Sequence, residues 1–401
     1  MHKHALAASL AAVLFAPLSG QAQLSDDVIK IGVISDQTSL YSDVTGLGVV
    51  EAVRMAIQER GEKIQGKPVM MVHADYLNKA DVAANRAREW LDRENVDVLV
   101  AGTSSSAALA IAHVAAEKQR PLLVVSTGTA RLTNEDCNPY TIHYAYDTTA
   151  LSKTAGIAIA QQPGGKRWFF LTADYTFGHS MEAATSAVIE RNGGTVLGSV
   201  KHPISTADFS SFLLQASSSG ADVLGLANAG ADMINAIKSA NEFGLTKKMK
   251  IAGLLMLIND IHALGLENAQ GMYLADSWYW DQSDASREWA REFNKRMNKM
   301  PNAIHASAYS AVRHYLNGVE ALDSDEPDSI LKWMKENPIQ DMLTDHGSIR
   351  ADGRMISDIY LRQVKSPEQS RYEWDYYETV AAISGDDAFT TKEESQCPIW
   401  K

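Results

Sequence analysis

Two short hydroxyl clusters carry the chemistry most legible in this chain, Thr103-Ser104-Ser105-Ser106 and Ser126-Thr127-Gly128-Thr129. Each follows an apolar run, the first from Val96 to Ala101 and the second opened by Pro121, and an Ala-rich stretch to Lys118 separates them. That order reads as strand, loop, helix, strand, loop. In a parallel α/β sheet both loops emerge at one edge, beyond the carboxyl ends of the strands, where ligands bind. The first loop also opens a helix, whose leading N–H groups lack intrahelical acceptors and suit a carboxylate or another anion. Ser104, Ser105 and Ser106 are open to a plainer reading as helix caps. A second hydroxyl loop at the same edge tilts the balance toward a binding site.

Catalytic and cofactor patterns are poorly represented. Gly102-Thr103-Ser104-Ser105-Ser106 lacks the final Gly of a nucleophile elbow, and no His–Asp partner can be assigned to it. The eleven histidines contain no H-x-x-x-H or H-E-x-x-H pair, so no metal site is expected. Gly46-Leu47-Gly48 lacks the third Gly of a dinucleotide loop. The expectation is a binding protein without enzymatic activity or cofactor.

The elements that must position the loops alternate regularly. A strand from Val28 to Ile34 leads into a polar loop with Tyr41, and Val49, Ala52, Val53, Ala56 and Ile57 mark one helix face. A strand from Val69 to His73 and a helix with Ala80, Ala83, Ala84, Ala87, Trp90 and Leu91 on one side precede the hydroxyl loops. The pattern loosens from Tyr140 to Tyr144 and restarts with a strand from Arg167 to Leu171, whose exit carries Asp174 and Tyr175. Further strands at 195–200, 222–227, 249–254 and 271–275 alternate with helices, and Asn228 follows the third strand of this half. Repeated β-α units predict parallel sheets with helices on both faces. Val96-Asp97-Val98-Leu99 and Ala221-Asp222-Val223-Leu224 echo each other, which suggests two similar lobes. No low-complexity linker divides them, so the chain is expected to cross between lobes more than once.

Residues 1–22 read as a secretory signal: Lys3, an apolar stretch from Ala5 to Leu18, then small residues ending at Ala22. Cleavage near Ala22 would place the product in the periplasm. Its loss leaves 36 basic against 49 acidic side chains, a net charge of −13, which disfavours nucleic acid and anionic lipid as partners. No later run reaches the roughly 18 apolar residues of a membrane span, so no direct membrane insertion is expected. Cys137 and Cys397 are the two cysteines, and in an oxidising compartment they read as a disulfide tethering the C-terminal tail, two buried thiols being the alternative.

The chain resembles the type I periplasmic solute-binding proteins of ABC importers, specifically the leucine/isoleucine/valine-binding group. Ile29-Lys30-Ile31-Gly32-Val33, Tyr41 before Gly46, the Ser104–Ser106 loop, Ser126 to Ala130, Asp174 to Gly178 and Asp208-Phe209-Ser210 carry the likeness. It implies an α/β fold of two Rossmann-like lobes joined by three hinge crossings, near 143–146, 277–280 and 343–347. The lobes then comprise 24–143 plus 280–345 and 144–279 plus 346–390, with 391–401 as the tethered tail. It implies two partners, a small-molecule carboxylate ligand and a membrane permease. By similarity Ser104–Ser106, Thr127 and Thr129 grip the ligand carboxylate and Tyr41 walls the site. The positions that hold an amino-acid ammonium in relatives fall on Ala229 and Leu255, neither of which accepts a hydrogen bond through its side chain. Leu254, Leu255, Met256, Trp278, Trp280 and Tyr175 offer an apolar, aromatic wall instead, with His305 beside a pocket position. The pattern resembles the branch associated with aromatic acids such as benzoate or cinnamate derivatives. A branched-chain amino acid or amide, and a sensing role in place of transport, remain the alternatives.

Overall fold

The computed structural model describes residues 24–401, so the signal-sequence expectation falls outside the described residues. Two parallel sheets organise the chain. The first holds β1 (Ile29–Ser35), β2 (Lys63–Ile64), β3 (Lys67–Asp75), β4 (Val98–Gly102), β5 (Leu122–Val124) and β6 (Thr141–His143), in the order β2-β3-β1-β4-β5-β6. The second holds β7 (Arg167–Ala173), β8 (Thr195–His202), β9 (Val223–Ala227) and β10 (Lys250–Gly253), in the order β10-β9-β7-β8. In each sheet the strand order reverses beside the first strand, between β1 and β4 and between β7 and β9. Loops leaving a sheet at such a point diverge and open a crevice.

The chain returns to the first lobe after β11 (Tyr273–Asp276), where the helix Ala303–Leu322 packs on the helix Gly46–Glu59. Asn302 caps the former, its side-chain oxygen accepting the N–H groups of Ile304 (3.0 Å) and His305 (3.2 Å). The hairpin of β12 (Ser348–Ile349) and β13 (Met355–Ile356) then brings Gly353 to β6, its carbonyl accepting the His143 N–H at 2.9 Å. Beside it the buried Arg354 guanidinium donates to the carbonyls of Ala145 and Met355. The crossings thus share buried polar contacts instead of running as free linkers.

Three features depart from the sequence reading. β6 forms where the apolar pattern loosens, because it docks at the sheet edge beside β5. Helical turns span Thr148–Ala160 with no strong amphipathic signal beforehand. The acidic C-terminal stretch supplies β15 (Tyr377–Ile383), paired antiparallel to β14 (Ile359–Val364), which also pairs with β11. Cys137 and Cys397 form the expected disulfide. No helix among the described residues is long and apolar enough to cross a membrane.

Candidate ligand-binding site

The loops leaving both sheets meet around a cavity with about 460 Å³ of space between them, lined by residues of both lobes. From the first lobe come Tyr41, Val44, Thr45, Thr103, Ser104, Ser105, Ser126, Thr127, Gly128 and Ile304. The second contributes Tyr175, Phe177, Ala229, Gly230, Leu255, Leu257 and Asp260, and Tyr146 stands at the crossing. Tyr41 is set by Asp36 at the end of β1, whose carboxylate accepts the N–H groups of Ser39 and Tyr41, both at 2.9 Å.

The first-lobe wall is lined by hydroxyl and main-chain N–H groups. The Ser104 hydroxyl does not cap the following helix; its N–H instead donates to the Tyr76 hydroxyl at 2.8 Å. The hydroxyls of Ser126 and Thr127 both donate to the Thr103 carbonyl at 3.0 Å, which orients that loop. Among the described residues the N–H groups of Ser105, Thr127 and Gly128 have no acceptor within the protein. Among the described residues no Lys, Arg or His lines the cavity, so its donors are oriented N–H and O–H dipoles.

The two lobes touch across the cavity. The hydroxyls of Tyr41 and Tyr175 meet at 2.5 Å, Ser106 and Thr176 at 3.1 Å, and Thr129 and Ser180 at 3.1 Å. Gly128 lies so close to Phe177 that a Cβ there would stand 2.7 Å from the ring. Gly230, at φ +60°, similarly admits the Leu40 carbonyl and the Tyr41 ring, a backbone region that L residues avoid.

Of the residues singled out from the sequence, Tyr41, Ser104, Ser105, Thr127, Tyr175, Ala229 and Leu255 are brought together at the cavity. Ser106 and Thr129 serve the contact between lobes instead. Asp174 lies outside, exposed, paired with His179 at 2.9 Å. Asn228 is buried against His202, its amide donating to the ring at 3.1 Å. The aromatic wall from 278 to 280 is not at the site. Trp280 donates to the Trp374 carbonyl at 3.0 Å and Trp278 to that of Met342 at 3.0 Å, so both brace a crossing. Leu254 and Met256 are buried core. His305 accepts the Asn302 N–H at 3.2 Å and stacks on Phe293, and burial, reinforced by Lys299, holds its ring well below its usual pKa. Its neighbour Ile304 faces the cavity.

Asp260 is a cavity-lining residue that sequence reasoning missed. It sits in the short helix Ile258–Leu264, is only 3% exposed, and accepts the Leu257 N–H at 2.9 Å through one oxygen. Burial pushes its carboxyl up to about 7, against the pull of that single bond, and nearby Asp43 adds to the rise. The folded chain therefore keeps this proton over an interval, from about 4 to about 7, in which the unfolded carboxyl has lost it. Its contribution to stability is present below that interval and falls as pH rises through it. Asn has no proton to lose, so the difference in Tm between Asp260→Asn and the parent should grow in favour of the variant from pH 5 to pH 8. Scanning calorimetry at both pH values checks this; a constant difference would contradict the raised pKa.

Comparison with known proteins places the chain clearly. The family described as periplasmic binding protein matches residues 28–370. A crystal structure of a periplasmic binding protein from Burkholderia mallei is 54% identical, with a TM-score of 0.92, covering 94% of this chain and 100% of that one. A branched chain amino acid ABC transporter periplasmic ligand-binding protein from Burkholderia xenovorans is 38% identical, with a TM-score of 0.82, covering 93% and 100%. A Leu/Ile/Val-binding protein homolog from Brucella melitensis is 25% identical over 359 residues, 86% of this chain and 90% of the relative.

Proposed function

We propose, from the premise that this chain belongs to the periplasmic binding protein family, that it captures a small aromatic carboxylate for an ABC importer. The family covers residues 28–370, and its relatives include ABC-transporter ligand-binding proteins. The ligand class rests on one observation. The cavity sets N–H and O–H donors on the first lobe against Tyr175, Phe177, Ala229, Leu255 and Leu257 on the second. A ring carboxylate satisfies both walls, its anion on the dipoles and its face against the aromatic side chains.

Ala229 and Leu255 occupy the positions that, by resemblance, would hold an ammonium, and an unpaired ammonium is costly to bury. Closure of the lobes removes the ligand from water, and the closed shape is then what a membrane permease distinguishes. No covalent step is needed. The secretory signal read at 1–22 fits action in the periplasm.

A branched-chain amino acid is the second reading. Asp260 favours it, since a carboxyl in the cavity can meet an ammonium, and the Burkholderia xenovorans relative bears that description. A thermal-shift panel separates the two. At about 100 times its Kd a ligand stabilises the fold by roughly 2.7 kcal/mol. Benzoates are expected to raise Tm and leucine or valine to leave it unchanged. A shift by the amino acids alone would refute the aromatic reading.

A further inference from the structure

We infer that Asp260 is a specificity-determining residue, whose free carboxyl oxygen accepts a hydrogen bond from a hydroxyl on the ring of a bound aromatic acid. The inference rests on the ligand class proposed above and narrows it to ring-hydroxylated acids.

Asp260 is nine-tenths buried, lines the cavity from the second lobe, and spends one oxygen on the Leu257 N–H at 2.9 Å. The other has no donor among the described residues. Among the described residues no basic side chain lines the cavity to pair with it. That oxygen is open to the cavity, and once a seated ligand displaces water from it, leaving it without a donor is destabilising, so the ligand should supply an O–H or N–H. The ligand's own carboxylate cannot do so, because an ionised carboxylate has no proton to donate.

The number of acceptors decides between the candidate donors. An ammonium presents three N–H groups. Around Asp260 the second lobe offers Ala229, Leu255 and Leu257, none with an accepting side chain, and the Tyr175 hydroxyl is already engaged with Tyr41. A ring hydroxyl presents a single O–H and needs a single acceptor, which matches the one oxygen available. A plain benzoate would leave that oxygen unpaired, and sites built to bond a hydroxyl discriminate strongly against analogues that lack it.

Calorimetric titration of the full chain at pH 8, where the Asp260 carboxyl is ionised, with benzoate, its three monohydroxy isomers and 4-methoxybenzoate tests this. The parent is expected to bind its best hydroxybenzoate at least about tenfold tighter than benzoate. In Asp260→Ala that preference should fall to about twofold or less, with circular dichroism confirming that the variant is folded. Asp260→Asn keeps an oxygen for Leu257, replaces the free acceptor by an amide donor, and serves if alanine does not fold; its preference should also shrink. A preference that survives both substitutions, or equal binding of all the benzoates by the parent, overturns this inference alone. Binding of leucine with no aromatic acid bound overturns the ligand class and this inference together.

Discussion

Gly128→Val is expected to weaken ligand binding by about 10- to 100-fold while leaving both lobes folded. A Cβ at position 128 would stand 2.7 and 2.8 Å from two carbons of the Phe177 ring, and 3.8 Å from Tyr146. Phe177 is itself buried, so the ring has little room to retreat. The backbone at 128 is outside the left-handed region, so valine meets no conformational penalty of its own. The clash lies between lobes, and the cost therefore falls on the closed form and not on the folding of either lobe. Overpacking of this kind costs about 1–3 kcal/mol, and each 1.4 kcal/mol is a factor of ten in affinity. Ser104 and Thr127 would still line the cavity, but the population able to use both walls would shrink. Titration calorimetry measures the loss, and X-ray scattering should show a contraction on adding ligand in the parent that is reduced in the variant. Parental affinity in Gly128→Val would refute closure through this contact.

Removing the disulfide should produce the largest loss of stability. Cys137 and Cys397 are 260 positions apart, so the bridge constrains a long stretch of the unfolded chain. It also anchors a tail that touches the second lobe. Glu394 lies 3.1 Å from Lys153 and 3.6 Å from Arg191, and Lys153 donates to the Phe389 carbonyl at 3.1 Å. Trp400 stacks under Arg350, 4.0 Å from its ring centre to the guanidinium carbon. Replacing both cysteines with serine should cost about 2–4 kcal/mol and lower Tm by roughly 3–5 °C. Scanning calorimetry of the double variant, and of the parent with reductant, should give matching losses. A change below about 1 kcal/mol would show that the tail is held by its non-covalent contacts.

The difference between what was legible and what was not has a local cause. Ser104 and Thr127 were readable because each lies just past an apolar run, while Tyr41, Ala229 and Leu255 were placed by the family resemblance. A strand exit in a parallel sheet has a known destination. Trp278 and Trp280 also lie past a strand, yet their indole N–H groups found main-chain carbonyls at a crossing. Their aromatic character suited a pocket and a brace equally well. Asp260 gave no signal, since one acidic residue in Ile258-Asn259-Asp260 resembles any cap or surface carboxylate. Only the packing of its short helix beside Leu257 brings it to the cavity.

The amino-acid order alone determined the alternation of strands and helices, the two similar lobes, the cysteine pair and the hydroxyl loops. Those features depend on periodicity and on neighbours a few residues apart, which any stretch of chain displays. The tertiary structure alone decided which side chains share the cavity, that Ser106 and Thr129 bridge the lobes, and that a buried carboxyl lines the same cavity as the hydroxyl loops. Such contacts join positions far apart in the chain, 51 residues for Thr129 with Ser180 and 134 for Tyr41 with Tyr175. Their partners are chosen by packing and by the need to satisfy buried polar groups, neither of which leaves a mark on local sequence.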